Sequence, residues 1–459
     1  MNTPENSVLL KPDKIRGGLL SRSTLDILQN PVQFLETLAR NQGPVVKLNF
    51  AGKKYVIFQH PDLFKHVLLD DYKLYTKPGH KLLRLFLGKG LATSNGEAWL
   101  RQRRTMQPAF HRQKLAKMMD VINEETDVFL ERLKKYPDYS VINITKELQQ
   151  FTIALISRTM FNDPLVGEVD KMIKALEDLA VFATSWMKSL VKIPTHWPTP
   201  ANFRYKRNCE TFDDIIYGII DRRKQEMAGQ EGIQHDDLLN LLLNYFDEES
   251  GAPISRELLR DEVTTMFMAG HETTAQTLSW MLYQLALNKD VNIKVREEGI
   301  EVIGNRLPDY EDISKLKYTR QVVHETLRCY PAFYALARKT LGNDNLLGIH
   351  IGPGTNVLLN LYGLHRHPAF WKNPDRFDPT HFDPEVDAKR QPFVFLPFGG
   401  GPRLCLGSNF AMMVMQVVIS RMASQFSFDV PDGFIPEIEP NISLRAKGGI
   451  WLHIRKVQN

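Results

Sequence analysis

The chain has 459 residues, of which 43% are hydrophobic and 24% are charged, and its formal net charge is +5. This composition excludes a disordered or collagen-like chain, and the small, dispersed charge gives no reason to expect nucleic acid as a partner. Three cysteines without a CxxC pair indicate neither a disulfide framework nor a zinc site, and they favour a reducing, intracellular compartment.

The first 25 residues form a predicted N-terminal tail. They carry several lysines and arginines among polar residues and prolines, and no apolar stretch reaches the length of a signal peptide or a membrane span. We therefore expect no transmembrane segment and a cytoplasmic location.

Local signals predict the elements that follow the tail. Asn30 as a cap and proline at the first position indicate a helix over residues 31–40. Residues 45–50 and 55–58 flank a glycine-containing turn and predict a hairpin. A second proline begins a short helix through residue 69. Residues 72–96 then predict a long loop, a kind of segment that tends to be functional.

A helix that begins at Glu97 places Trp99 and Arg103 four residues apart on one face, and Arg101 and Arg104 add positive charge. By itself this pattern is more typical of a solvated basic face than of a site. Further helices are predicted over residues 119–190, 202–223 and 236–246, with prolines between 194 and 200 breaking the pattern.

The longest periodic run, residues 255–288, predicts a helix of about 50 Å with a buried middle. The sequence places in that middle the turn Ala269-Gly270-His271-Glu272-Thr273-Thr274. A mid-helix glycine, a buried carboxylate and threonines that bond back to the preceding turn are each locally unfavourable. Such a cluster indicates either a functional turn or a kink with a paired glutamate.

The last third of the chain mixes helix and strand signals. Residues 316–329 predict a helix that carries Glu325 and Arg328 on one face, a spacing that most often marks a surface ion pair. Residues 349–351 and 357–361 predict strands on either side of a turn. Residues 442–445 and 450–455 predict a C-terminal hairpin.

Residues 393–409 carry the strongest chemical signal. Gly401, Arg403, Cys405 and Gly407 are spaced two apart, and Phe398 lies three residues before Gly401. Consecutive glycines let the backbone turn tightly and approach a flat ligand. The apolar run 410–419 predicts a helix just after the loop, and a helix N-terminus favours a thiolate. Such a thiolate is a good axial ligand for haem iron, whereas a lone intracellular cysteine is more often a buried free thiol.

By composition, this five-position spacing should arise by chance in such a chain with a probability on the order of 10⁻⁴. The stretch matches FxxGxRxCxG and resembles the cysteine-ligand loop of the cytochrome P-450 family of haem-thiolate monooxygenases. Other motifs of the family are matched in order: WxxxR at 99–103, the acid–alcohol pair within 269–274, ExxR at 325–328, and Pro374-Asp375-Arg376-Phe377 where the family often has Pro-Glu-Arg-Phe.

The resemblance implies a mainly α fold with a smaller β-rich part, the cytochrome P-450 fold, with haem between the long central helix and the helix after the cysteine loop. It implies a single domain over residues 26–459, in a soluble, bacterial-type, monomeric protein. The implied reaction inserts one oxygen atom from O₂ into a C–H or C=C bond.

Electrons would come indirectly from NAD(P)H through a ferredoxin or flavodoxin with its reductase, because the chain shows no flavin or dinucleotide fingerprint. The basic residues that could dock such a partner are Arg101, Arg104, Arg112 and Lys114.

The resemblance also assigns site residues. Cys405 would ligate the iron of haem b (iron protoporphyrin IX), Thr273 would donate a hydrogen bond to dioxygen, and Glu272 would relay protons. Glu325, Arg328 and Arg376 would form a structural network that fixes the cysteine loop. The other expected contacts of the cofactor, with propionate partners among them, are Trp99, Arg103, Ala269, Gly270, Arg338, Phe398, Gly401, Arg403 and Gly407.

The expected substrate pocket is apolar and aromatic, which predicts a lipophilic molecule such as a fatty acid, terpenoid, steroid or polyketide-like scaffold. Its candidate residues are Leu85, Phe86, Met266, Phe267, Phe333, Tyr334, Leu336, Ile442 and Leu444. Three alternatives stay open: a peroxide-driven peroxygenase of the same fold, a non-oxygenating haem protein such as a sensor, and a helical scaffold without haem. Peroxygenase relatives tend to lack the acid–alcohol pair.

Overall fold

The computed structural model describes residues 13–15, 26, 27, 29–50, 53–78, 84, 86–189, 193–229, 235–246, 251–441 and 443–457. Two predicted pocket residues, Leu85 and Ile442, lie outside them, as does most of the predicted tail. In chain order, the α-helices of the described residues are α1 (Pro31–Asn41), α2 (Pro61–Lys65), α3 (Gly96–Met106), α4 (Arg112–Lys117), α5 (Met119–Lys134), α6 (Ile144–Phe161), α7 (Val169–Lys188), α8 (Pro200–Gly229), α9 (Leu238–Leu243), α10 (Arg256–Leu287), α11 (Lys289–Val302), α12 (Lys317–Cys329), α13 (Leu361–Leu364), α14 (Pro384–Asp387) and α15 (Ser408–Gln425).

The strands are short and fall into several small sheets, so the fold is mainly α-helical, as predicted. Over the described residues they are β1 (Asp13–Ile15), β2 (Val45–Phe50), β3 (Lys53–Phe58), β4 (Tyr75–Thr76), β5 (Ser140–Asn143), β6 (Leu336–Thr340), β7 (Asp344–Leu346), β8 (Ile349–Ile351), β9 (Asn356–Leu359), β10 (Phe426–Asp429), β11 (Ile438–Pro440), β12 (Leu444–Ala446) and β13 (Trp451–Lys456). Among the helices described, none combines the length and apolarity that a membrane crossing needs.

Internal contacts divide the chain into two compact units. The first comprises Met1–Gly79 and His324–Cys405, and the second comprises His80–Val323 and Leu406–Asn459. The single domain expected over residues 26–459 stays a prediction.

The first unit is organised around a six-stranded sheet of order β1-β2-β3-β9-β6-β4. The predicted hairpin is confirmed, because β2 and β3 pair antiparallel with Val45 opposite Phe58. The first helix also begins as predicted: the Asn30 side chain accepts from the Gln33 N–H, which satisfies one of the free amides of the first turn. Next to the sheet, a π-helical turn (His66–Asp70) directly continues α2.

The second unit is built around α10. Its cap is Ser255, whose side chain accepts from the Leu258 N–H, and most of the helix is buried, as predicted. The helix packs extensively along α6, and α11 packs along α15. A three-stranded sheet of order β10-β13-β5 and the pair β11-β12 complete this unit.

Three predictions about the second unit differ from the structure. The C-terminal hairpin is wrong, because β12 pairs with β11 and β13 pairs with β10 and β5. Strand β5 was not expected, since its four residues carry no local signal and its partner is more than 300 residues away. Helix α9 has six residues where eleven were predicted. In each case the outcome depends on distant pairing or packing, which a local pattern does not encode.

Candidate active site

The loop before α15 ends at Cys405, which is exposed. The Cys405 N–H donates to the carbonyl oxygen of Phe398 over 3.0 Å, and the Gly399 N–H donates to the carbonyl oxygen of Leu396 over 3.0 Å. The cysteine is therefore placed by backbone hydrogen bonds and stays accessible. In the chain it comes two residues before Gly407, the N-cap of α15.

Gly401 is required by a backbone contact inside the first unit. Its φ is +64°, and a Cβ at this position would lie 1.7 Å from the carbonyl oxygen of Leu68 in the π-helical turn. The close approach predicted for this glycine is therefore made to the protein's own backbone. At Gly407, by contrast, a Cβ would meet only the Phe110 ring, at 3.7 Å.

Glu325 and Arg328 form a fully buried ion pair, so the surface-pair alternative is wrong. Arg328 donates through Nε to Oε2 and through NH2 to Oε1 of Glu325, each over 2.7 Å. Its guanidinium also donates to the carbonyl oxygens of His365, Pro374 and Arg376, at 2.9, 2.9 and 3.0 Å. Such a fork ties two separate backbone segments, at His365 and at residues 374–376, to one helix.

The third side chain of this network is a histidine. Arg376 is exposed and joins the network through its carbonyl oxygen. His381 Nδ1 lies 3.2 Å from Oε1 and 3.3 Å from Oε2 of Glu325. The proline and phenylalanine of Pro379-Thr380-His381-Phe382 have the same spacing as those of residues 374–377. The sequence therefore held the signal, but the arginine at 376 matched the family motif better.

The network reaches the cysteine loop through His365. The Leu396 N–H, at the start of the loop, donates to His365 Nε2 over 3.1 Å. Burial first, and then the positive charge of Arg328, lower the pKa of His365 to about 3, so the ring is neutral and Nε2 can accept. Arg328 thus donates to the carbonyl oxygen of His365, and the ring of His365 accepts from the Leu396 N–H.

The Ala269–Thr274 turn presents an accessible strip of α10 within the second unit. Ala269 is exposed, and Met266 and Thr273, three residues before and four after, are half-buried on the same face. Thr273 Oγ1 donates to the Ala269 carbonyl oxygen over 2.7 Å, which confirms the predicted bond to the preceding turn.

Two other residues of this turn face α6 instead. A Cβ on Gly270 would lie 2.5 Å from Ile156 Cδ1, so the glycine allows the two helices to approach each other. His271 Nδ1 lies 2.9 Å from Thr152 Oγ1, whose own proton is donated to the Leu148 carbonyl oxygen. Burial lowers the pKa of His271 to about 3, so this histidine is neutral.

Glu272 is set up to hold a proton. Burial raises the pKa of its carboxyl group, and the attraction of Arg445 and a 3.3 Å hydrogen bond from Ser443 Oγ offset only part of that rise. A glutamic acid with a raised pKa can donate a proton at a higher pH than a free one.

A second buried carboxyl group lies ten residues earlier on α10. Glu262 is fully buried; its Oε2 accepts from the Leu91 N–H over 2.9 Å, and its Oε1 has no hydrogen-bond partner among the described residues. Burial raises its pKa from 4.5 to about 8. The preceding residue, Asp261, accepts from the Lys89 N–H over 2.7 Å. Together they tie the segment around Gly90 to α10.

We expect Glu262→Gln to stabilise the protein increasingly as pH rises. The folded state keeps the Glu262 proton up to about pH 8, whereas the unfolded chain loses it near 4.5, so wild-type stability falls across this window. Glutamine keeps the acceptor for Leu91 but does not ionise. Urea unfolding at pH 5 and pH 8 measures the effect, with the exposed Glu257→Gln as the control. A stability gap that stays constant with pH would contradict the expectation.

The expected propionate partners are divided between the two units. Trp99 is buried and Arg103 is half-buried on α3 of the second unit. In the first unit, Arg338 is nine-tenths buried, and its guanidinium donates to the Ala337 carbonyl oxygen over 2.9 Å. No ion pair joins Arg338 to a carboxylate within the described ranges, and burial lowers its pKa to about 10.

Within the first unit, Arg338 and Cys405 fit haem. A buried guanidinium without a carboxylate is a place where a ligand anion such as a propionate is favoured. The accessible cysteine supplies a soft ligand for iron.

Some of the expected pocket residues are buried in the core, and others are at least partly exposed. Phe86 packs on Phe212 and Phe267 packs on Phe161, with ring centroids 5.2 and 4.8 Å apart, so both belong to the helical core. Tyr334 packs against the sheet cluster of the first unit, and Leu444 is buried in β12. Phe333 is exposed, and Met266, Tyr334 and Leu336 are half-buried. Leu336 also packs against a hydrophobic cluster of the sheet.

Comparison with known proteins gives a family match over nearly the whole chain. The family model described as Cytochrome P450 matches residues 15–453. Cyclooctatin synthase of Streptomyces melanosporofaciens is 30% identical over 94% of this chain and 93% of its own length. Putative cytochrome P450 132 of Mycobacterium tuberculosis is 29% identical over 90% of each chain. Protein LUTEIN DEFICIENT 5 of Arabidopsis thaliana is 29% identical over 95% of this chain and 76% of its own length.

Proposed function

Because this chain belongs to the cytochrome P450 family of haem monooxygenases, we propose that it inserts one oxygen atom from O₂ into a C–H or C=C bond of a lipophilic small molecule. Its cofactor is haem, and its electrons come from NAD(P)H through partner proteins. The observation that carries the proposal is Cys405, accessible and placed by backbone hydrogen bonds within FxxGxRxCxG.

Each residue expected to hold the cofactor supplies a distinct interaction. Haem, when bound, activates molecular oxygen so that one of its atoms can enter a substrate. Cys405 would ligate the iron as a thiolate. The buried Arg338, together with Arg403, would bind propionate oxygens, and Trp99 and Arg103 would add an indole N–H and a guanidinium fork.

Two residues of α10 would donate or relay protons. The Thr273 hydroxyl group donates to the Ala269 carbonyl oxygen in this structure. It would turn to donate its hydrogen bond to dioxygen instead. Glu272 would hold a proton in its carboxyl group, since burial raises its pKa, and would take up the next one through Ser443 and solvent. The apolar side chains of Met266, Phe333 and Leu336, which are at least partly exposed, support a lipophilic substrate.

We expect Thr273→Ala to lower product formation by roughly 10²-fold, the usual contribution of a positioned proton donor. NAD(P)H consumption should fall less, because electron delivery does not need this hydroxyl group. The control is Thr277→Ala, which removes the same kind of bond one turn later on α10. Equal product formation by the two variants would contradict the role of Thr273.

The proposal as a whole is tested by binding and turnover. Purified protein loaded with haemin is titrated with fatty acids, terpenoids and steroids while the haem spectrum is followed. Ligands that perturb the spectrum are then incubated with NADPH and a ferredoxin or flavodoxin system, or with hydrogen peroxide. Turnover with peroxide alone indicates the peroxygenase alternative, and carbon monoxide binding without NADPH consumption indicates a sensor.

The redox partner is proposed to be a ferredoxin or flavodoxin. Of the four basic residues expected to dock it, Arg112 pairs with Glu311 over 2.9 Å and Lys114 pairs with Asp236, which reduces their free charge. Arg104 is exposed on α3 and is the best candidate for a contact. Cysteines that form no disulfide are consistent with the cytoplasmic location that we propose.

A further inference from the structure

Residues 88–94 lie against α10 within the second unit and are held there through their backbone. The Lys89 N–H donates to Asp261 Oδ2 over 2.7 Å, and the Leu91 N–H donates to Glu262 Oε2 over 2.9 Å. Two neighbouring carboxyl groups of one helix therefore bind alternate amides of the segment.

The segment also has hydrogen bonds of its own. The Ser94 N–H donates to the Gly90 carbonyl oxygen over 3.1 Å, and Thr93 Oγ1 donates to the Gly88 carbonyl oxygen over 2.7 Å. Gly90 is the point of closest contact with α10, since a Cβ there would lie 2.6 Å from the Asp261 carbonyl oxygen. Because the internal bonds do not involve α10, the segment can leave the helix as a unit when its bonds to the two carboxyl groups break.

The two carboxyl groups differ in how well their surroundings accept a negative charge. Asp261 is paired with Arg260 over 3.0 Å. Glu262 is fully buried, its Oε2 has the Leu91 N–H as donor, and its Oε1 has no hydrogen-bond partner among the described residues. Within those residues no ion pair joins Glu262 to a cation. A buried carboxylate with so little compensation is costly, so the closed segment requires the neutral acid.

We propose that Glu262 is a proton-controlled latch: its neutral carboxyl group holds residues 88–94 on α10, and loss of that proton to solvent as pH rises frees the segment. Because Oε2 accepts from Leu91, the proton of the closed form lies on Oε1. Once the segment is free, water can donate to both oxygens of the carboxylate. The latch lies in the long loop over residues 72–96, which the sequence predicts to be functional, and it does not rest on the proposed haem site.

The pH range follows from the environment of the carboxyl group. Burial, and to a smaller extent the negative charge of Asp261, raise the pKa of Glu262 from 4.5 to about 8 in the closed form. A group whose pKa is raised in the closed form stabilises that form at low pH, and this contribution is lost as pH rises to about 8. The opening equilibrium of the segment should therefore increase by up to about 10-fold per pH unit below pH 8.

The other charged groups in this part of the molecule do not compensate for the lost proton. Titratable or charged side chains on the elements around Glu262 are Arg260 and Asp261 of α10, Lys89 of the segment, Glu97, Arg101, Arg103 and Arg104 of α3, Cys209, Asp213 and Tyr217 of α8, and Arg158 of α6. Arg260 is paired with Asp213 as well as Asp261, and Arg158 is paired with Glu125 over 2.7 Å. Among the described residues, the charge that shifts the pKa of Glu262 is that of Asp261, which raises it.

The test measures hydrogen exchange of the Leu91 amide in haemin-loaded wild type and Glu262→Gln between pH 6 and pH 8. Each rate is divided into the rate of an unstructured chain at the same pH, which gives a protection factor. In wild type this factor should fall by about 10-fold or more over the range. In the Gln variant, which keeps an acceptor for Leu91 but does not ionise, it should stay constant. Glu257→Gln, at an exposed position of the same helix, is the control and should follow wild type.

Amides of β13, a central strand of the same unit, distinguish release of the segment from global unfolding. Global unfolding also exposes Glu262, so it alone would give every protected amide the same pH dependence. Release of the segment predicts that Leu91 is much less protected than β13 and that its exchange does not respond to low concentrations of urea. Equal protection of Leu91 and β13, or a Leu91 protection factor that does not change with pH, would overturn the latch. These comparisons need wild type alone and hold even if the Gln variant does not fold.

Limited proteolysis gives a second measurement of the same event. Lys89 is exposed, but its N–H and its carbonyl oxygen are both hydrogen-bonded, the latter to Gln102 Nε2 over 2.8 Å, so trypsin needs the segment to be free before it can cleave there. The rate of cleavage after Lys89 in wild type, divided by the rate in Glu262→Gln, should rise by about 10-fold or more between pH 6 and pH 8. The pH dependence of trypsin itself cancels in this ratio. A ratio that stays constant would contradict control by the Glu262 proton.

Discussion

Cys405→Ser is expected to abolish the thiolate-type spectrum of the reduced carbon monoxide complex and to eliminate monooxygenase turnover. Serine has nearly the same size, but its hydroxyl group is not ionised at neutral pH and is a poor ligand for haem iron. Because Cys405 is exposed, the free energy of unfolding of the haem-free protein should change by less than about 0.5 kcal/mol. Spectroscopy after saturation with haemin and urea unfolding without haemin measure the two effects independently.

The matched control for this substitution is Cys209→Ser on α8. Cys209 is half-buried, and burial raises the pKa of its thiol to about 11, so the thiol is neutral. Cys405, by contrast, is exposed and lies before a helix N-terminus. This control should keep the carbon monoxide spectrum of wild type. A Cys405→Ser protein with an unchanged spectrum would place the iron ligand elsewhere and remove the basis of the proposed function.

Elements whose signals lie within a few residues were predictable from the sequence. The cap residue Asn30 accepts from a first-turn amide of α1, where the sequence placed it, and the long periodic run starts at Ser255, the residue before α10. Apart from the hairpin of β2 and β3, the predicted strands are present as segments but pair with other partners. The segments 349–351 and 357–361 were expected on either side of one turn, yet β8 pairs with β7, and β9 lies in the six-stranded sheet between β3 and β6.

The candidate site shows the same limit at the level of single residues. Gly270 and Gly401 were both expected to make room for the cofactor or dioxygen, but each faces protein atoms, Ile156 and Leu68. A glycine in a sequence indicates that a close approach exists, but it does not say which group approaches. The same holds for Phe86 and Phe267, because aromatic residues near a motif pack in the core as readily as they line a pocket.

The third member of the buried network was missed for a different reason. Two candidates for the family motif start five residues apart, at 374–377 and 379–382, and the sequence favoured the one that contains an arginine. Geometry selects the other, since Nδ1 of His381 reaches the Glu325 carboxylate. A motif comparison treats a histidine in place of the arginine as a mismatch, even where the histidine makes the contact.

Gly401→Ala is expected to destabilise the protein by about 2–5 kcal/mol, the sum of left-handed backbone strain and a steric clash. The new Cβ would lie 1.7 Å from the Leu68 carbonyl oxygen and 2.7 Å from its carbonyl carbon. Leu68 cannot yield easily, because its π-helical turn is anchored where His66 Nε2 lies 2.7 Å from Asp344 Oδ2. The cysteine loop must shift instead, so haem retention should fall together with stability.

Gly354→Ala separates the two contributions. Gly354 has a similar φ of +74°, but a Cβ there would meet only Lys339 Cε, at 3.8 Å. This variant should lose about 1–2 kcal/mol from strain alone and retain haemin normally. Urea unfolding and haemin titration of both variants measure the difference. Equal losses of unfolding free energy in the two variants would mean that the contact with the π-helical turn does not hold the loop. The hydrogen bond from the Leu396 N–H to His365 would then be the remaining contact that connects the loop to the buried network.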